Sequence, residues 1–223
     1  MNRFNYLRTI NQKKVFCIGF NKTGTTSLYQ ALNDLDYLFG DFSQGERLLG
    51  AYSRRDFRKI TSYCKYGTAF KDVPFSLPKL FMALDQAYSG SKFILTVRES
   101  SEQWYQSITT FHQKVFAKNQ RIPTYEDLMR CCYCYEGWAW EYIRECYSTP
   151  ESDPYNKDLL IKAYENHIDD ALFFFKNRSD DLLVLNVADE DSYLKMCKFL
   201  CKEPLRETFP WEKKTSEVAV YDR

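Results

Sequence analysis

Short apolar runs alternate with amphipathic segments along this chain. Near-continuous apolar runs are typical of strands that are buried on both faces of a parallel sheet. Four runs predict such strands, at 15–19, 68–70, 92–97 and 182–187. Apolar residues at helical spacing follow the first run, and they are Leu28, Ala31, Leu32 and Leu35. The alternation predicts an α/β fold, a single three-layer domain over residues 1–223 with a mostly parallel central sheet flanked by helices.

Helices are predicted in the segments between these strands. Ser100 and Gln103 form an S-x-x-Q capping box, which predicts a helix over about 101–117. Ser76 is the predicted N-cap of an earlier helix. Further helices are predicted over 124–147, 157–177 and 191–201, with one or two more within 44–66.

The charge balance limits the classes of ligand. The chain has 31 basic and 30 acidic residues, a net charge of +1, so it lacks the global basic field of a nucleic-acid-binding protein. A polyanionic ligand must be held by a local cluster. No apolar run approaches the roughly 18 residues of a membrane span, and the N-terminus lacks the apolar core of a signal peptide. A cytoplasmic location is therefore expected.

Eight cysteines are present, and reduced thiols are the expectation in that compartment. Cys131, Cys132 and Cys134 form a cluster without a nearby histidine. This spacing does not match a zinc site, so no metal centre is predicted.

The loop at 19–27, with the sequence GFNKTGTTS, joins the first strand to the first amphipathic helix. Backbone N–H groups and the helix dipole attract anions at such a junction. Gly24 permits a close backbone approach, and Lys22 adds a mobile cation. The remaining polar candidates for a phosphate or sulfate cradle are Asn21, Thr23, Thr25, Thr26 and Ser27.

The same loop differs from the phosphate loop of nucleotide-hydrolysing enzymes, G-x-x-x-x-G-K-[ST]. Gly19 and Gly24 have the correct spacing, but Thr25 stands where lysine is required, and the cation precedes the second glycine, at Lys22. This displacement argues against one alternative, a nucleotide kinase or other NTPase. A second alternative is a non-catalytic module that binds a phosphorylated nucleotide and a partner protein.

The order K-T-G-T-T-S-L resembles the 5′-phosphosulfate loop of sulfotransferases that use 3′-phosphoadenosine-5′-phosphosulfate (PAPS), in their bacterial and carbohydrate-type branch. The resemblance implies sulfuryl transfer to a hydroxyl or amine of a small-molecule or carbohydrate acceptor. The product would be adenosine 3′,5′-bisphosphate. In this reading Lys22 neutralises charge on the oxygen that bridges phosphorus and sulfur.

A second family signature is a strand that ends in arginine, followed by a helix that carries a serine. Arg98 ends the run at 92–97, and W-Y-Q-S places Ser107 in the following helix. The resemblance implies that Arg98 and Ser107 bind the 3′-phosphate. In the family, the serine usually follows the arginine at a fixed spacing. Gln106 stands at that spacing here, and Ser107 lies one residue further along.

Asp72 occupies the place of the catalytic histidine in the family's K-x-H-x-P segment, within F-K-D-V-P. The resemblance implies that Asp72 is the general base. A carboxylate is a weak base, so either burial must strengthen it or the acceptor must be acidic. His112, in the helix after Ser107, is the alternative base, whereas His167 is expected in the core.

The acceptor is left open by the sequence. The predicted acceptor loops, 40–66 and 118–156, are rich in aromatic residues with scattered arginine and lysine. A sugar, a phenol and a small cationic or polycyclic metabolite fit this composition about equally. Glu212-Lys213-Lys214 loosely resembles the basic segment near the C-terminus of family members.

Overall fold

A computed structural model describes residues 3–117 and 121–210 of the chain. The basic segment at 212–214 lies outside these residues. The described residues form two compact units. The first unit contains residues 3–97 and 168–210, and the second contains 98–117 and 121–167.

Eleven α-helices and four strands are present within these ranges. In chain order they are α1 (Arg3–Thr9), β1 (Val15–Cys17), α2 (Thr25–Asp34), α3 (Phe42–Glu46), α4 (Leu49–Ser53), α5 (Phe57–Tyr63), β2 (Ala69–Phe70), α6 (Leu80–Ala87), β3 (Lys92–Thr96), α7 (Ser101–Phe116), α8 (Tyr125–Arg130), α9 (Trp138–Tyr147), α10 (Lys157–Phe175), β4 (Leu182–Leu185) and α11 (Ser192–Phe199). Short 3₁₀ helices lie at Cys64–Tyr66 and Ser179–Asp181.

The four strands form one parallel sheet in the first unit, in the order β2-β1-β3-β4. Phe16 of β1 pairs with Phe70 on one side and with Phe93 on the other. Parallel neighbours need crossover connections, and helices supply them between these strands. The predicted α/β fold with a parallel central sheet is confirmed.

Successive side chains of a strand point to opposite faces of the sheet. Both faces of this sheet are covered by helices. One face packs against α2 and α11, through Val15, Cys17, Leu28, Leu32, Ile94, Leu185, Tyr193 and Met196. On the other face, the ring of Phe16 lies 5.4 Å from Phe93 and 5.5 Å from Phe70, and Phe93 lies 4.8 Å from Phe175 of α10. These two helix-covered faces give the three layers that the sequence predicts.

Three predictions in the first unit need correction. Ser76 does not cap a helix, because α6 begins only at Leu80. Pro78 disfavours a helical conformation at the residue before it, so the chain turns through this segment instead. The run at 182–187 was predicted to be a buried strand, but β4 is an edge strand and Val184 is 38% exposed. The segment 44–66 was predicted to form one or two helices, but it carries most of three short ones, α3 to α5.

In the second unit, the long helix predicted over 124–147 is two helices. Thr124 and Asp127 form a capping box that begins α8. The chain leaves the helical conformation after Arg130, and Gly137, with φ of 79°, is the N-cap of α9. The left-handed backbone at Gly137 is incompatible with a continuous helix.

Among the described helices, none combines the length and the apolar character that crossing a bilayer requires. No disulfide joins any of the eight cysteines, all of which lie in the described ranges.

Candidate functional site

The loop between β1 and α2 contains two residues with a left-handed backbone conformation. Lys22 has a φ of 71° and Gly24 a φ of 100°. A left-handed lysine is uncommon, and such strain clusters where surrounding structure fixes a loop for binding or catalysis. The loop and helix occupy the positions predicted from the sequence, with α2 beginning at Thr25.

Both glycines of the loop are required by close packing within the first unit. A Cβ atom at Gly19 would lie 2.2 Å from Thr96 Oγ1, and one at Gly24 would lie 2.3 Å from Val187 Cγ2. These distances are too short for any side chain. The loop is therefore packed directly against the ends of the two strands that follow it in the sheet order.

Thr23 fixes the shape of this loop. Its hydroxyl is fully buried, donates to the carbonyl of Phe20 at 2.6 Å and shares a hydrogen bond of 2.6 Å with Thr96 Oγ1. The hydroxyl of Thr23 is therefore used in hydrogen bonds that hold the loop in place. Of the other candidates, Asn21 and Lys22 are half-buried.

The N-terminus of α2 is suited to an anion. Gly24 is its N-cap, no side chain caps it, and no acidic residue lies in its first turn. The N–H groups of Thr25, Thr26 and Ser27 belong to this first turn, where an α-helix supplies no acceptor. The helix dipole adds positive potential at the same end. Thr26 is exposed and Ser27 half-buried.

Asp72 follows β2 in the same unit and also has a left-handed backbone, with φ of 55°. Its Oδ2 atom forms an ion pair with Lys71 Nζ. Its Oδ1 atom is buried and has no hydrogen-bond partner among the described residues. A buried acceptor without a donor is costly, so it requires an explanation. Such an oxygen can accept a hydrogen bond from a molecule bound beside it.

Lys71 is a functional candidate that the sequence reasoning missed. Its Nζ lies 4.9 Å from the ring centre of Phe42 and 5.5 Å from that of Tyr29, and its side chain is 11% exposed. The aromatic rings and Asp72 hold this lysine in one position. Its place next to Asp72 was the available signal.

Arg98 is the first residue of the second unit and directly follows Val97. It is half-buried, and its backbone N–H donates to Tyr164 Oη at 2.9 Å. Burial lowers the pKa of Arg98, and Tyr164 acts in the opposite direction; an arginine nevertheless stays charged in proteins. Tyr164 stacks on Trp104 with ring centres 4.5 Å apart.

The start of α7 supports this region of the second unit. Ser100 caps the helix by accepting the N–H of Gln103 at 3.1 Å, as predicted. The Gln103 side chain accepts the N–H of Glu99 at 3.2 Å, so the reciprocal bond of the predicted capping box goes to the preceding residue. Ser107 is half-buried on α7, three residues after Trp104.

The two histidines are buried in the second unit. His112 is 1% exposed, its Nδ1 atom shares a hydrogen bond of 2.9 Å with Tyr155 Oη, and its ring lies 4.8 Å from that of Phe116. His167 is 2% exposed, in keeping with the predicted core position. Tyr155 therefore occupies one ring nitrogen of His112.

A family model described as a sulfotransferase domain matches residues 14–218, nearly the whole chain. No curated protein matches the chain. The match includes the loop before α2, Asp72 and the segment from Arg98 to His112.

Proposed function

The chain belongs to the sulfotransferase family, and on that premise we propose that it transfers a sulfuryl group from PAPS to the hydroxyl or amine of a small-molecule acceptor. The observation that carries this proposal is the uncapped N-terminus of α2, with Lys22 and two closely packed glycines before it. That arrangement fits a phosphosulfate group.

The 5′-phosphate of the donor is assigned to the loop before α2. The backbone N–H groups of Thr25, Thr26 and Ser27 would donate to its oxygens, together with the hydroxyl of Thr26. Gly24 serves the shape of the loop, since Val187 fills the side where its Cβ atom would stand. The Thr23 side chain shapes the loop, and the backbone groups of Asn21 and Thr23 are assigned to the same phosphate.

The donor, when bound, supplies the activated sulfuryl group: the acceptor atom bonds to sulfur, the bond from sulfur to the bridging oxygen breaks, and adenosine 3′,5′-bisphosphate leaves with the electron pair. Lys22 offsets the negative charge that develops on the bridging oxygen. Asp72 accepts the proton of the acceptor through Oδ1, and Lys71 holds the carboxylate in position through Oδ2.

Arg98 and Ser107 are assigned to the 3′-phosphate. The assignment rests on the resemblance of their segment to the family signature and on the partial burial of the guanidinium group. A planar guanidinium can bind two phosphate oxygens at once. The hydrogen bond from the backbone of Arg98 to Tyr164 fixes the start of this side chain.

Replacement of Arg98 by alanine is expected to weaken binding of adenosine 3′,5′-bisphosphate by about 10- to 100-fold, because a charge-assisted hydrogen bond contributes roughly 1.5–3 kcal/mol. Binding of 5′-AMP, which lacks the 3′-phosphate, should change little. Isothermal titration calorimetry with the two nucleotides measures both affinities.

Arg130→Ala is the matched control, since Arg130 is an exposed arginine of the same unit. It should leave both affinities unchanged. Equal losses for the bisphosphate and for 5′-AMP in Arg98→Ala would contradict the assignment to the 3′-phosphate.

A further inference from the structure

Basic side chains are concentrated in one part of the first unit, in and around α5. The segment 47–66 has six basic residues and one acidic residue, whereas the whole chain has 31 and 30. The acidic residue, Asp56, caps α5 by accepting the N–H of Lys59 at 3.3 Å. A local excess of positive charge therefore lies on this part of a nearly neutral protein.

The cations of α5 share an exposed face of the helix. The 3₁₀ helix at Cys64–Tyr66 continues α5, so Arg58 and Lys65, seven residues apart, point to the same side, away from the buried Ile60. Arg58, Lys59 and Lys65 are all exposed. Within the part of the chain that the structure describes, none of the three forms an ion pair, whereas basic residues of β3, α10 and α11 do.

The helix α1 adds an exposed apolar side chain beside these cations. Thr9 Oγ1 donates to the carbonyl of Lys65 at 2.6 Å, and the ring of Tyr6 lies 5.6 Å from that of Tyr66. Leu7 lies between these two contacts along α1 and is 72% exposed. The docking face is defined by four exposed residues: Leu7, Arg58, Lys59 and Lys65.

A buried lysine holds α1 in this position. Lys14 is fully buried, and its Nζ donates to the carbonyl of Thr9 at 2.5 Å and to that of Gly67 at 2.8 Å. These two bonds join the end of α1 to the residue that follows the 3₁₀ helix. Buried hydrogen bonds of a charged group are costly to break, so the docking face is formed before any partner binds.

The docking face and the candidate site lie at opposite ends of the strands. The helix α1 precedes β1, and the 3₁₀ helix precedes β2, so both lie toward the amino ends of two parallel neighbours. The loop at 19–27 and Asp72 follow the same two strands, at their carboxyl ends. A surface bound to the docking face would therefore not cover the candidate site.

We propose that the docking face binds the surface of an anionic lipid bilayer. Its cations would contact the headgroups, and Leu7 would enter the boundary between headgroups and acyl chains. Cations next to an exposed apolar side chain are the combination that favours such an interface. A nucleic acid would place Leu7 against hydrated phosphates, and the rings of Tyr6 and Tyr66 pack on each other instead of offering open faces to bases.

The test measures cosedimentation of the full chain with vesicles of phosphatidylcholine alone and with vesicles that contain about one-third phosphatidylserine. At about 0.1 M salt we expect binding to the anionic vesicles to be at least tenfold tighter, and about 0.5 M salt should remove most of this difference by screening. The triple change Arg58→Gln, Lys59→Gln and Lys65→Gln should weaken binding about 100-fold, since each cation near such a surface contributes about fivefold.

A second triple variant is the matched control, since it removes the same charge from exposed residues elsewhere: Arg130→Gln, Lys162→Gln and Lys198→Gln. It should change binding less than about threefold. Leu7→Ser should weaken binding about fivefold at either salt concentration, because an apolar contact is not screened. Leu205→Ser, at a leucine that is 63% exposed elsewhere in the first unit, should have no effect.

Unchanged melting temperatures will show that all of these surface variants remain folded, and the salt dependence of the wild type tests the proposal without any variant. Equal losses in the two triple variants would mean that binding follows net charge alone, and they would overturn the proposal. Absence of binding to the anionic vesicles would also overturn it. Tighter binding to single-stranded RNA than to the vesicles, with no effect of Leu7→Ser, would identify a nucleic acid as the partner instead.

Discussion

Lys22→Ala is expected to lower kcat by about 100- to 1000-fold while adenosine 3′,5′-bisphosphate still binds. The lysine offsets charge that develops on the bridging oxygen as its bond to sulfur breaks, and the removal of one such group from an active site typically has an effect of this size. Alanine has the same Cβ atom as lysine, so the left-handed backbone at φ of 71° gains no further strain. Rates of bisphosphate formation from PAPS measure the effect.

Lys13→Ala is the control for this variant, because Lys13 is an exposed lysine just before β1. Its kcat should match that of the wild type. The role assigned to Lys22 is wrong if Lys22→Ala keeps wild-type turnover, or if its lost activity follows a loss of the folded state in circular dichroism.

Asp72→Asn is expected to lower kcat about 100- to 10,000-fold, the usual contribution of a positioned acid or base. The amide cannot accept the proton of the acceptor. Asparagine tolerates a left-handed backbone as aspartate does, so the conformation at φ of 55° should persist. The affinity for adenosine 3′,5′-bisphosphate should change little, and stopped-flow turnover together with calorimetry measures both quantities.

Asp36→Asn is the matched control, because Asp36 is another left-handed aspartate, with φ of 65°, and its side chain is exposed. It should leave kcat unchanged. Near-normal turnover in Asp72→Asn would show that Asp72 is not the general base. A parallel fall in Asp72→Asn and Asp36→Asn would instead indicate an effect of the backbone.

Features that depend on neighbouring residues in the chain were predictable from the sequence. The strand, loop and helix at 14–36 were predicted because an apolar run, a glycine loop and a helical face follow one another. The N-cap at Ser100 follows from side-chain chemistry over three residues. The family was indicated by two short motifs, and the family match over residues 14–218 confirms it.

Features that depend on pairing across the fold were not predictable in this way. Strand order makes β4 an edge strand, and no local pattern records that order. The motif predicts Thr23 as a ligand of the anion. In the structure its hydroxyl shares a hydrogen bond with Thr96, which lies 73 residues away in the chain. The burial of His112 depends on packing by Tyr155, which lies 43 residues further along the chain.

The most direct test of PAPS as the donor is thermal stabilisation of the wild-type protein by adenosine 3′,5′-bisphosphate, compared with 5′-AMP and with Mg-ATP. At a concentration of about one hundred times its Kd, the bisphosphate should add roughly 2.7 kcal/mol to the apparent stability. We expect a large rise in melting temperature with the bisphosphate and a much smaller one with 5′-AMP. An unchanged melting temperature with the bisphosphate, or a rise with Mg-ATP alone, would contradict the assignment of PAPS as the donor.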